Sequence, residues 1–68
     1  MKLLKGDMVE FSGFFEKKID DFNTQFLLDR SKKTGVVIDL DCTTAVILCE
    51  EEIFKIDVVN PMTFINKL

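Results

Sequence analysis

Residues 34–59 read Thr34-Gly35-Val36-Val37-Ile38-Asp39-Leu40-Asp41-Cys42-Thr43-Thr44-Ala45-Val46-Ile47-Leu48-Cys49-Glu50-Glu51-Glu52-Ile53-Phe54-Lys55-Ile56-Asp57-Val58-Val59, and they decide the fold class. In the first third the alternation has period two. It sets Val36, Ile38 and Leu40 on one face and Asp39 and Asp41 on the other, as a half-buried strand requires. Asp41-Cys42-Thr43 reads as a turn, because an Asp carboxylate bonds readily to the backbone that follows it. Residues 44–49 are nearly all apolar, as expected of a strand covered on both sides. Glu50-Glu51-Glu52 marks a second turn, after which Phe54, Ile56 and Val58 alternate inward. Three consecutive strands result.

Outward from this block, Asn60-Pro61 ends the third strand, since proline lacks the ladder donor. Residues 62–65 form a short closing strand. At the other end, residues 5–11 open with a Gly6-Asp7 turn signal and continue as a short strand with Val9 and Phe11 on one face. The total is five strands in one domain, residues 1–68.

Residues 12–33 carry a different period. Phe15, Ile19, Phe22 and Phe26 recur at spacings of four, three and four, which at about 100° per residue places them in one stripe. Ser12 suits the start of a helix, and Arg30, Lys32 and Lys33 suit its C-terminal dipole. The spacing predicts an amphipathic helix, with its stripe completing a small core. Asn23-Thr24 in the middle and the β-favouring phenylalanines point to the alternative, a long two-stranded excursion. Phe14, Leu27 and Leu28 lie off the stripe, and so form an expected apolar surface.

Composition narrows the function classes. The chain has 68 residues, 47% of them hydrophobic and 31% charged, with 3 Gly and 1 Pro, which excludes a disordered or low-complexity tail. A domain this small has a thin core and little room for a catalytic cleft behind it. Nine Lys and Arg against twelve Asp and Glu give a formal charge of −3, the wrong sign for phosphate neutralisation. The basic residues fall in two short groups, Lys17-Lys18 and Arg30, Lys32, Lys33, each flanked by acids.

Two cysteines and no histidine leave a thiol nucleophile without its usual base and a zinc site without its usual ligands. Cys49 reads as a small core hydrophobe and Cys42 as a turn residue. The Gly residues are too far apart to cradle a phosphate. The carboxylates Asp39, Asp41, Glu50, Glu51 and Glu52 read chiefly as solvated strand faces and hairpin ends that discourage edge pairing. No catalytic residue, cofactor or metal site is expected. The expected location is a reducing, intracellular one, because a secreted chain this short usually carries more cysteines. No apolar run is long enough for a membrane span.

The opening Lys5-Gly6-Asp7-Met8-Val9-Glu10-Phe11 resembles the start of Tudor- and KOW-type barrels. Thr34-Gly35-Val36-Val37-Ile38-Asp39 and Ala45-Val46-Ile47-Leu48 are similar to their paired inner strands, and Ile53-Phe54-Lys55-Ile56 to the strand that follows. The resemblance covers residues 5–11 and 34–65 and implies an SH3-like small β-barrel, with the expected helix inserted between strands one and two. The chain also resembles small SH3-like accessory proteins of tailed bacteriophages. A Tudor-type reader of methylated side chains needs several exposed aromatic rings, and this chain has no Trp and no Tyr.

The resulting expectation is a non-enzymatic protein–protein interaction module. By resemblance it is a phage accessory protein that binds a host or virion protein in the host cytoplasm. Its contacts come from Phe14, Leu27, Leu28, Arg30, Lys32 and Lys33. The acidic face of Asp39, Asp41, Glu50, Glu51 and Glu52 meets a basic surface or mimics nucleic-acid charge. Two alternatives remain: a KOW-like domain that binds nucleic acid on a ribosome or polymerase, and a homo-oligomeric component of a viral particle.

Overall fold

β-Branched and aromatic side chains at alternate positions produce five strands in the computed structural model, which describes residues 2–68. They are β1 (Met8–Lys18), β2 (Thr24–Leu40), β3 (Thr44–Cys49), β4 (Glu52–Asp57) and β5 (Phe64–Lys67). All pairings are antiparallel, and the circuit β1–β2–β3–β4–β1 closes on itself. β5 lies outside that circuit on the first half of β1, where Val9 faces Lys67 and Ser12 faces Phe64. The result is a small, mainly β, closed barrel, consistent with the SH3-like architecture.

No helix occurs among the described residues, and the expected inserted helix is replaced by a hairpin. Residues 12–33 form the second half of β1, a tip at residues 19–23 and the first half of β2. Phe14 faces Leu28, Phe15 faces Leu27, and Glu16 faces Phe26. Two alternating strands folded about residue 21 also bring phenylalanines to spacings of three and four, which is why the helical stripe misleads. The pairing period separates its members. Phe15 is in the core, whereas Ile19, Phe22 and Phe26 are exposed, Phe22 almost completely at 95%.

Asp20 holds the tip. Its Oδ1 accepts hydrogen bonds from the backbone N–H groups of Phe22 and Asn23 at 2.8 and 2.9 Å, and both carboxylate oxygens accept from Asn23 Nδ2. Such a local carboxylate turn offers the backbone an alternative to the helix.

The core is Val9, Phe11, Phe15, Val37, Ala45, Ile47, Cys49, Phe54 and Ile56, with Leu27, Leu40 and Val58 packed partly against it. Phe54, Ile56, Val9 and Phe11 point inward as their alternation predicts. The phase of residues 36–40 is corrected: Val37 is buried, Val36 half-buried and Ile38 exposed. A bulge accounts for this. Val37 faces Ile47 and Asp39 faces Val46, so Ile38 is an extra residue, and the slip returns Leu40 to the core side. β3 is covered on one side only, with Ala45, Ile47 and Cys49 inward and Leu48 outward.

Both sequence-expected turns form. Thr43 and Thr44 donate backbone N–H groups to Asp41 Oδ1 at 2.9 and 2.8 Å. Between Cys49 and Glu52, Glu50 and Glu51 adopt φ of 51° and 67°. A two-residue hairpin with positive φ at both positions favours Asn-Gly, and each ordinary side chain there costs roughly 1–2 kcal/mol. Replacing the pair (Glu50→Asn with Glu51→Gly) is expected to stabilise the protein by about 1–2 kcal/mol, after allowing for glycine's greater freedom when unfolded. The check is a rise in the urea midpoint at unchanged slope; an unchanged midpoint contradicts the strain.

Candidate functional site

The outer face of the β1–β2 hairpin groups exposed apolar side chains. Strand alternation sends Phe15 and Leu27 inward, and with them sends Phe14, Phe26 and Leu28 outward. Phe14 is 41% exposed, Leu28 51% and Phe26 69%. Phe14 and Leu28 are direct cross-strand neighbours, and Phe26 lies two residues along the same face. Next to them runs a shallow groove of about 430 Å³. Phe14, Glu16 and Phe26 line one side, and Lys55, Asp57 and Asn60 the other. Its lining mixes phenylalanine rings with charged and polar side chains.

Of the expected contact residues, Phe14 and Leu28 share this face, whereas Leu27 lies on the opposite one, half-buried against the core. The helical spacing places Phe26 in the inward stripe, but the strand pairing turns it outward, into the site. The groove residues Lys55, Asp57 and Asn60 carried no signal of their own, since only the β1–β4 pairing of Glu16 with Lys55 brings them beside β1.

The basic group sits on an irregularity. Between Phe11–Lys33 and Gly13–Asp29 the hairpin register slips, so that Arg30, Ser31 and Lys32 bulge opposite Ser12. Ser31 caps Asp29 with its N–H and hydroxyl at 2.9 and 2.6 Å. Lys33 pairs with Asp29 at 3.4 Å and Lys32 with Glu10 at 3.7 Å. Lys32 also stands 5.0 Å above the Phe64 ring. Two of the three cations are thus already partnered within the chain.

The acidic residues do not form one face. Asp39 pairs with Lys5 at 3.6 Å, Asp41 serves its own turn, and Glu52 pairs with Lys17. Glu50 and Glu51 point into solvent at the β3–β4 hairpin. Burial, together with the neighbouring Glu50 charge, pushes the Cys49 thiol up, while Cys42 is exposed. A raised thiol is a poorer source of the reactive thiolate. Among the described residues, no three acidic or cysteine side chains meet in a metal-holding group, and no helix is long and apolar enough to cross a membrane.

Three turn carboxylates are held below their ordinary value of 3.8. Asp20 is lowered first by the Asn23 side chain and then by the Phe22 N–H. Asp29 is lowered by the Ser31 hydroxyl and N–H, and Asp41 by the N–H groups of Thr43 and Thr44. A carboxyl that is more acidic when folded stabilises the fold above its unfolded pKa, and the contribution disappears as pH falls through the folded value. Stability is therefore expected to be flat near neutrality and to decline below about pH 4. In Asp20→Asn with Asp41→Asn the decline should be shallower, as read by urea unfolding at a series of pH values. An equally steep decline in the variant contradicts the assignment.

Comparison with protein-family models, curated proteins and solved structures finds no match for this chain.

Proposed function

We propose that this chain is a non-enzymatic protein–protein interaction module that binds its partner through the outer face of the β1–β2 hairpin. The observation that carries this reading is the cluster of Phe14, Phe26 and Leu28 on one exposed face beside a groove. Large apolar side chains grouped on a surface mark interfaces more often than single exposed ones do. Fully covering a Phe or Leu contributes about 1.5–3 kcal/mol, so three such anchors suffice for a useful affinity. Phe22, at the tip, extends the same contact. The resemblance to phage accessory barrels suggests a host or virion protein as the partner.

The test is capture from lysate of the native host by the tagged protein, with and without nuclease, set against Phe14→Ala with Leu28→Ala. Both side chains face outward, so the variant keeps its core. The expected result is a protein retained through nuclease treatment and reduced at least about tenfold in the variant, equivalent to at least about 1.4 kcal/mol. Equal capture by the variant overturns the hairpin face as the contact. Capture that vanishes with nuclease moves the reading to nucleic acid.

A further inference from the structure

The first half of β2 is bonded on one side only. Residues 24–29 pair with β1, and β3 joins the opposite side of β2 only from Val36 onward. Along residues 24–29 the outer edge therefore offers main-chain donors and acceptors with no strand beside them among the described residues. Such an edge is a template for another strand. Natural edges are usually blunted by charge or proline, yet Thr24-Gln25-Phe26-Leu27-Leu28 has neither.

We propose that this edge pairs with the same edge of a second copy of the chain, antiparallel about a twofold axis at Leu27. In this register Phe26 faces Leu28 of the copy, Gln25 faces Asp29 and Thr24 faces Arg30. Opposed residues share a face of the extended sheet, as pairing requires, and no like charges stand opposite one another. The flanks agree. Antiparallel pairing lays the tip of one copy, with Asp20 and Asp21, beside the bulge of the other, with Arg30, Lys32 and Lys33. Asp21 is 89% exposed and held in its own chain by one long ion pair, to Lys18 at 3.8 Å, which it exchanges for that contact. The twofold repeats the acidic-to-basic match, making a self-complementary interface of the isologous kind. A heterologous strand fits the edge as well, but it has no built-in reason to carry this charge pattern.

Edge pairing leaves the outer face open and joins the two clusters of Phe14, Phe26 and Leu28 into one platform. The dimer deepens the proposed interaction function without depending on it.

Amide hydrogen exchange of the whole chain by NMR, alongside sedimentation over a concentration series, tests the proposal. In a monomer the amides of residues 24–29 alternate, those directed at β1 protected and those directed at the free edge exchanging freely. Pairing protects both sets, so the expected result is a dimer whose edge amides slow at least tenfold as the concentration rises. Phe26→Lys is expected to return the protein to monomer with native dichroism. A monomer at all concentrations, or a dimer in which the alternation persists, overturns the proposal. The wild-type exchange pattern decides even if the lysine variant does not fold. Either failure leaves the partner-capture result to stand or fall separately.

Discussion

Gly13→Ala is expected to remove about 3–4 kcal/mol of stability, enough to unfold much of the population or to free β5. Gly13 sits where the neighbour of β1 changes from β5 to β4, and the loop between those strands crosses it. A Cβ at Gly13 would stand 2.2 Å from the Met62 carbonyl oxygen and 3.1 Å from Thr63 Cα. Both are backbone atoms, so no rotamer change relieves the overlap. The residue also has φ of +106°, a conformation that costs an L side chain roughly 1–3 kcal/mol.

The crossing loop is also tied to β1 by the Thr63 hydroxyl, which donates to the Phe14 carbonyl in a long bond of 3.4 Å. Displacing it pulls Phe64 away from Ser12 and Ile65 away from Phe11. Gly6→Ala is the control. Gly6 has φ of +91° but nothing within 4 Å of the added Cβ, so only the conformational cost applies. Urea unfolding of the two variants separates the terms, and equal losses would show that the Met62 contact contributes nothing.

The second large effect is Phe11→Ala, expected to cost about 3–5 kcal/mol. Phe11 is fully buried, and its ring lies 5.8 Å from Phe15 and 5.7 Å from Phe54, while those two meet edge-on at 4.9 Å. The three rings bring both halves of β1 against β4. Removing one leaves a cavity that the closed circuit of strands cannot readily collapse, because β1, β3 and β4 around it each pair with a strand on either side. At roughly 0.05–0.15 kcal/mol per residue, a domain of this length holds about 3–10 kcal/mol in all, so the loss is a large fraction of the total and the variant is expected to melt far below the wild type. Phe11→Leu keeps most of the volume and should lose far less. Thermal melts of both variants check this, and comparable midpoints would show that ring packing is unimportant.

The hairpin that replaces the expected helix was partly visible in the sequence. The doublets Phe14-Phe15 and Leu27-Leu28 stand at equal distances from residue 21, and Asp20, Asp21 and Asn23 between them are turn formers. Mirror symmetry of this kind signals two strands folded back on each other. The helical spacing of four phenylalanine and isoleucine positions competes with it and is equally periodic, so local pattern alone does not choose. Pairing chooses, because the inward members of the hairpin, Phe15 and Leu27, meet the core built by β3 and β4.

The candidate site follows the same division. Phe14 and Leu28 were legible as apolar residues without a core position. Phe26 was not, since its face depends on its pairing with Glu16. The basic residues were legible as a group, but their partners Glu10 and Phe64 come from distant strands.

By itself the sequence determined the presence of five strands, with β1 and β2 only in part, two hairpin turns and most of the core. Each of these depends on alternation or on a side chain bonding its own backbone, and both are local. Tertiary structure decided which side of β2 is inward at Val36 to Ile38, since one extra residue in a bulge reverses the face and only the partner strand registers it. It also decided that β1 changes neighbours at Gly13, and that residues 24–29 keep an open edge, because both depend on strands far apart in the chain.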